Sequence, residues 1–197
     1  MELIEKYLPK YDFKETHSRE TRVTPGAAIK AALAYQPDSD PYLRIAIALR
    51  ELPMRMLSVL GGKHEAVPPP FGLSNFTLLE VWPDRELVYG LIGRFWQLDY
   101  GLVPTADGAA FQAFEAPGVA KLVFGISANS LENGRTKLTT ETRVFCPDRA
   151  SYLSFAPYWY FIRPVSGLIR RRILKSIQRA SEESQAEVNS PVITGGI

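Results

Sequence analysis

Hydrophobic and polar positions divide the chain into stretches of two different periods. From Phe13 to Val23 a Thr- and charge-rich run carries an apolar residue at each end and reads as a polar strand. Thr24-Pro25-Gly26 closes it, with Thr24 as N-cap and Pro25 as first residue of a helix reaching Tyr35, whose Ile29 and Leu33 share a face. Pro37 to Pro41 interrupts the pattern, and a second helix is expected from about Tyr42 to Leu52, with further turns up to Gly61-Gly62. Pro68-Pro69-Pro70 marks an irregular extended segment. Two β-rich runs follow, Phe76 to Trp82 and Glu86 to Leu98, joined by Pro83-Asp84-Arg85; Gly90 and Gly93 in the second suggest bends. After a longer connection with a helical turn near 109–114, two runs flank Glu132-Asn133-Gly134-Arg135. This is the clearest hairpin, because Asn-Gly supplies the positive φ of a tight turn. From Tyr152 the apolar positions 152, 155, 159, 162, 165, 169, 173 and 177 are spaced by three and four, which predicts one long amphipathic helix. Pro157 and Pro164 should bend it.

A run of strands followed by one helix implies an α+β fold with an antiparallel sheet. A curved sheet of five to seven strands, with the long helix laid across its concave face, leaves room for a cavity between them. Runs such as Leu87 to Phe95, apolar on both sides, fit a sheet whose outer face is also partly covered. One domain is expected over 1–181, with a disordered polar tail over 182–197.

Composition narrows the functional classes. The chain has 197 residues, with 23 Lys+Arg against 21 Asp+Glu and a formal charge of +2. That balance gives no bulk attraction for nucleic acid. One Cys excludes an intramolecular disulfide, and two His without i, i+4 spacing make a metal site unexpected. Cys146, between Phe145 and Pro147, reads as a small packed hydrophobe. The first residues lack the basic start and apolar run of a signal peptide, and no stretch approaches ~20 consecutive apolar residues. A cytoplasmic protein without a cofactor is the expectation.

Taken in order, these elements resemble the START/Bet v 1-like superfamily, also called SRPBCC or polyketide-cyclase-like. The residues that carry the likeness are the opening strand with Thr24-Pro25, the Glu86 to Trp96 run with Gly93-Arg94-Phe95-Trp96, and the Asn133-Gly134-Arg135-Thr136 hairpin with Thr140-Glu141-Thr142-Arg143. The terminal helix completes it, and the overlap runs from about Tyr11 to Ala180. The resemblance implies a helix-grip fold, a curved sheet wrapped around the C-terminal helix. It also implies a cavity for a lipid, polyketide or other hydrophobic or amphipathic molecule. It implies no shared catalytic residues.

Within that frame Tyr89, Arg94 and Trp96 on the strands, and Trp159, Ile162 and Arg163 on the helix, are the candidate ligand contacts. Arg94, a cation inside an apolar run, leads them: it pairs with a carboxylate or binds an anionic ligand group, or else snorkels to the rim, while core filling is the expectation for the aromatics. If the first strand pairs with the last, His17 and Arg19 fall near Glu141 and Arg143. One face would then hold a polar patch able to orient a substrate, or an ion-paired surface facing solvent; solvent is the expectation. An enzyme of cyclase or hydrolyase type would need at least two of His17, Glu141 and Arg94 in one cavity. His64 reads as a solvated loop residue. Finally, Arg163, Arg170, Arg171, Arg172, Lys175 and Arg179 occur with no acid before Glu182. They read as a solvated outer face, since the apolar stripe is committed to the sheet, with weak contact to an anionic membrane as the alternative.

Overall fold

The computed structural model describes residues 1–35, 75–97 and 99–189. The helices expected over 42–60, the Pro-rich segment with His64, and residues 190–197 lie outside the described residues. Five strands form one antiparallel sheet: β1 (Phe13–Thr21), β2 (Thr77–Trp82), β3 (Glu86–Gly93), β4 (Ala120–Ser130) and β5 (Thr136–Phe145), in the order β1-β5-β4-β3-β2. Among the described residues, four helices accompany them: α1 (Glu2–Tyr7), α2 (Pro25–Ala34), α3 (Gly108–Ala113) and α4 (Arg149–Asn189). The long helix laid on an antiparallel sheet is the helix-grip α+β arrangement.

Period-two alternation in the central strands places apolar residues on both faces, so each face needs a cover. On one side α4 packs Phe155, Trp159 and Ile162 against Phe13, Leu91 and Val144. Further along, its Ile173, Leu174 and Ile177 meet Leu87, Ile126 and Leu138, joined by Ala28 and Ile29 of α2. On the other side Leu3 and Ile4 of α1 and Phe111 of α3 lie over Val88, Ile92 and Val123.

Local chemistry sets the boundaries. Thr24 Oγ1 accepts from the Ala27 amide at 3.3 Å, with Pro25 opening α2. Asp148 caps α4 by accepting from Ser151 N–H at 2.8 Å, and its other oxygen accepts from Gly118 N–H at 2.6 Å. These amides hold the Asp148 carboxyl below the usual range. Gly134 takes φ 73° at the hairpin tip.

Three departures from the expected elements have identifiable causes. The first is α1, which no periodic signal announces because it spans only six residues. It forms because Glu86, buried on β3, accepts from the Glu2 and Leu3 amides at 3.0 and 2.8 Å. A strand residue more than eighty positions away thus serves as its cap. Secondly, β3 stops at Gly93 instead of running to Leu98. A Cβ at Gly93 would lie 2.7 Å from the Tyr100 carbonyl, and the Arg94 amide donates to that oxygen, so the chain turns there. Thirdly, α4, which runs through Pro157 and Pro164 as expected, continues past Glu182 to Asn189. Its Ser-Glu-Glu-Ser-Gln-Ala stretch contains good helix formers, and Arg179 pairs with Glu183 and Gln178 with Glu182, each one turn on.

The two sides of α4 should respond differently to truncation. Leu174 is 1% exposed and Leu168 62%. Leu174→Ala should lower unfolding free energy by about 2–5 kcal/mol, and Leu168→Ala by no more than about 0.5 kcal/mol. Urea denaturation of both variants measures the difference.

Candidate functional site

The expected pairing of the first and last strands is present, and its register sorts the charged residues. Phe13 lies opposite Val144, His17 opposite Thr140 and Thr16 opposite Glu141. Because side chains alternate, Glu15, His17 and Arg19 face α4 together with Thr140 and Thr142. Glu141 and Arg143 face α1. The single patch of His17, Arg19, Glu141 and Arg143 is therefore corrected to two, on opposite sides of the sheet. Nor is the α1-facing pair in solvent, as Glu141 and Arg143 are 7% and 6% exposed.

The α1-facing group is a structural clamp. Arg143 Nε donates to Glu141 at 2.8 Å, and its Nη1 donates to Glu5 at 2.6 Å and to the Leu8 carbonyl at 3.1 Å. Lys14 adds an ion pair to Glu141 at 3.0 Å, and the guanidinium lies over the Tyr11 ring. Burial raises the Glu141 carboxyl, but hydrogen bonds and charge from Arg143 and Lys14 outweigh it and leave the group below its ordinary range. The clamp anchors the chain leaving α1.

The α4-facing group is different. A groove of about 660 Å³ runs between β1 and α4, lined by Lys14, Glu15, Thr16, His17, Arg163, Pro164, Gly167, Leu168 and Arg171. At its inner end His17 Nε2 and Glu15 Oε1 are 2.6 Å apart. The carboxylate accepts, which orients the imidazole. Gly167 makes this close approach possible: a Cβ there would lie 3.1 Å from Glu15 Oε1 and 3.5 Å from the His17 ring. Glu15 Oε2 and Thr140 Oγ1 are buried without a hydrogen-bond partner among the described residues. Alongside, Arg170 donates from Nε and Nη2 to Thr142 Oγ1, at 3.0 and 2.6 Å, and from Nη1 to the Ser166 carbonyl. A polar layer thus interrupts the sheet–helix interface between its two apolar clusters. Buried unpartnered oxygens are costly in such a place and mark it for attention.

Of the other residues singled out in the sequence, Arg163 lines this groove and is exposed. Trp159 and Ile162 are buried with Phe13 and Phe155 one turn away. Trp96 lies partly buried against the Phe155 ring. Tyr89 faces α4 from β3 and is partly buried, which raises its phenol. The structure does not bring Arg94 to the groove; it sits in the turn after β3, exposed, and its Nε donates to the Gly118 carbonyl at 3.0 Å. The apolar run around it ends at Gly93, so its charge never enters the core. Glu15 was the residue missed: it lies two positions before His17 and therefore on the same face, which the alternation alone could have revealed.

Other chemistry-bearing groups have structural explanations. Burial beside Asp12 and Asp148 pushes the Cys146 thiol up to about 12, so it is not a nucleophile at neutral pH. A second groove of about 730 Å³ lies beside α1 and α3. Its Lys121 ammonium donates to the Gln112 and Phe114 carbonyls and sits over the Phe111 ring. Among the described residues no three or more His, Cys, Asp or Glu cluster as metal ligands, and no helix is long and apolar enough to cross a membrane.

No family model and no curated protein matches the chain. Among solved structures it is similar to the crystal structure of Ara h 8.0201, at 11% identity and a TM-score of 0.32, over 87% of this chain and 99% of that one. At that identity and score no residue role carries over.

The clamp has a pH signature. Since the folded state holds the Glu141 carboxyl low, its pairing stabilises the fold fully above the ordinary carboxylate range. The contribution fades as pH falls through the folded value. Glu141→Gln should therefore be less stable than the parent at neutral pH, with the gap closing in acid. Arg143→Ala, which strands the buried carboxylate, should cost about 3 kcal/mol at neutral pH. Denaturation curves collected from neutral to acidic pH measure both.

Proposed function

We propose that the chain binds a small amphipathic molecule in the groove between β1 and α4. Glu15 carries the reading: a buried carboxylate lines an open groove, one oxygen is held by His17, and the other has no partner among the described residues. A ligand whose polar end carries a hydroxyl or amine donor would satisfy such an acceptor. Pro164 and Leu168 offer apolar contact beside it, and Arg163 and Arg171, which make no ion pair among the described residues, suit an anionic substituent. Lipid- or polyketide-like molecules with a hydroxylated end meet these requirements. The START/Bet v 1-like sequence resemblance points to the same class.

Non-enzymatic binding is the reading adopted. The acid–base alternative relied on at least two of His17, Glu141 and Arg94 in one cavity. These three occupy the α4 side of the sheet, the α1 side and an exposed turn.

Thermal shift against hydroxylated fatty acids, monoacylglycerols and phenolic polyketides tests the proposal, with NMR of the His17 ring as a site-specific readout. A ligand should raise Tm, move the His17 signals and lose at least about tenfold in affinity in Glu15→Gln. Gly167→Leu, which places a side chain in the groove, should abolish binding. Stabilisation that leaves His17 unmoved and survives both variants would place the ligand elsewhere. No stabilisation by any of the three classes would remove the proposal.

A further inference from the structure

The outward side of α4 carries a second stripe, separate from the one that grips the sheet. Leu153, Pro157, Tyr160, Phe161, Pro164 and Leu168 recur at helical spacing and are all exposed. Tyr160, Phe161 and Leu168 are 65%, 58% and 62% exposed, so they contribute little to the core. In the same line, Arg171, Lys175 and Arg179 continue the stripe as an exposed basic row. At 1.5 Å per residue, the apolar part is about 22 Å long and the basic part about 12 Å. No acidic residue occurs between Asp148 and Glu182. Among the described residues Arg163, Arg171 and Lys175 make no ion pair, while Arg179 pairs with Glu183.

Single exposed apolar residues are ordinary on a protein surface; an aligned row ending in aligned cations is not. With a single apolar stripe committed to the sheet, the cations would belong to a solvated face. The structure has two such stripes, on opposite sides of one helix.

We infer that this face of α4 docks flat on an anionic bilayer surface. Phe161, Leu168 and Leu153 enter the boundary between headgroups and acyl chains, Tyr160 sits at headgroup level, and Arg171 and Lys175 meet lipid phosphates. Charge complementarity favours this occupant, because Arg171 and Lys175 pair with no acid among the described residues and no described helix is long and apolar enough to span. Docking does not depend on ligand binding in the groove, so the two stand or fall separately.

Flotation of the full chain, without added ligand, tests this with vesicles of phosphatidylcholine alone or mixed with phosphatidylglycerol. The protein should float with the mixed vesicles and not with neutral ones, and high salt should weaken the association. Phe161→Ser with Leu168→Ser should lower partitioning about tenfold or more, and so should Arg171→Glu with Lys175→Glu. All four positions are exposed, so circular dichroism and Tm should stay at parental values. Binding that ignores lipid charge, no flotation, or flotation unaffected by either double variant would overturn the inference. So would self-association in sedimentation velocity that Phe161→Ser with Leu168→Ser dissolves without any vesicle binding, since the stripe would then be a contact between copies of this chain.

Discussion

The register of β1 on β5 is the constraint on which both sides of the sheet edge depend. With Phe13 opposite Val144, odd-numbered residues of β1 turn toward α4 and even-numbered ones toward α1. A slip of one position would carry Glu15 and His17 away from Gly167 and bring Lys14 and Thr16 beneath the helix. It would also take Lys14 from Glu141. Phe13 opposes such a slip most strongly. Its ring contacts Tyr152, Phe155 and Trp159, all on α4, and no other β1 side chain could fill that volume. Packing at one end of the strand thus decides which polar groups meet at its middle.

The long helix is fixed along its axis by the polar layer more than by its hydrophobic clusters. Apolar packing is tolerant of small translations, whereas hydrogen bonds are not. Arg170 on Thr142, Arg19 on Gln178 and Thr21 on Glu182 tie three successive levels of α4 to the sheet edge. A shift by one turn would break all of them and leave buried hydroxyls unsatisfied. The same layer includes the Glu15 and Thr140 oxygens that lack a partner among the described residues, and Glu15 lines the groove. Gly167 matters here for its lack of a side chain, since any Cβ would crowd the carboxylate.

Much of this architecture is legible in the sequence, and what is not has physical causes. The Asn133-Gly134 turn, the Thr24-Pro25 helix start and the inward stripe of α4 are local signals, and each appears where it was read. Gripping of the sheet by the helix follows from element order. By contrast, α1 depends on a cap from Glu86, a long-range contact that no window of sequence contains. Arg94 looked like a buried cation because its neighbours are apolar; the turn at Gly93, set by the Tyr100 carbonyl, puts it outside. Strand pairing was foreseen without its register, and parity decides everything about His17, Glu141 and Arg143. On α4 the inward stripe stands out because it is longer and more apolar; the outward one occupies the opposite angular sector in the same three-and-four spacing and gives way to cations after Leu168.

The two faces of α4 share a boundary, and this has a consequence for how the groove is reached. Arg163, Pro164, Leu168 and Arg171 line the groove, and three of the four either belong to the outward stripe or continue it. The groove therefore adjoins the edge of the exposed face, with Pro164, Leu168 and Arg171 belonging to both. An amphipathic molecule approaching along that edge would keep apolar contact throughout, with its polar end meeting Arg163 or Arg171 before Glu15. Entry from the β1 side instead passes the exposed Lys14 and Thr16, where an apolar chain gains nothing. The helix thus makes one route to the groove less costly than the other, by the same spacing that gives it two faces.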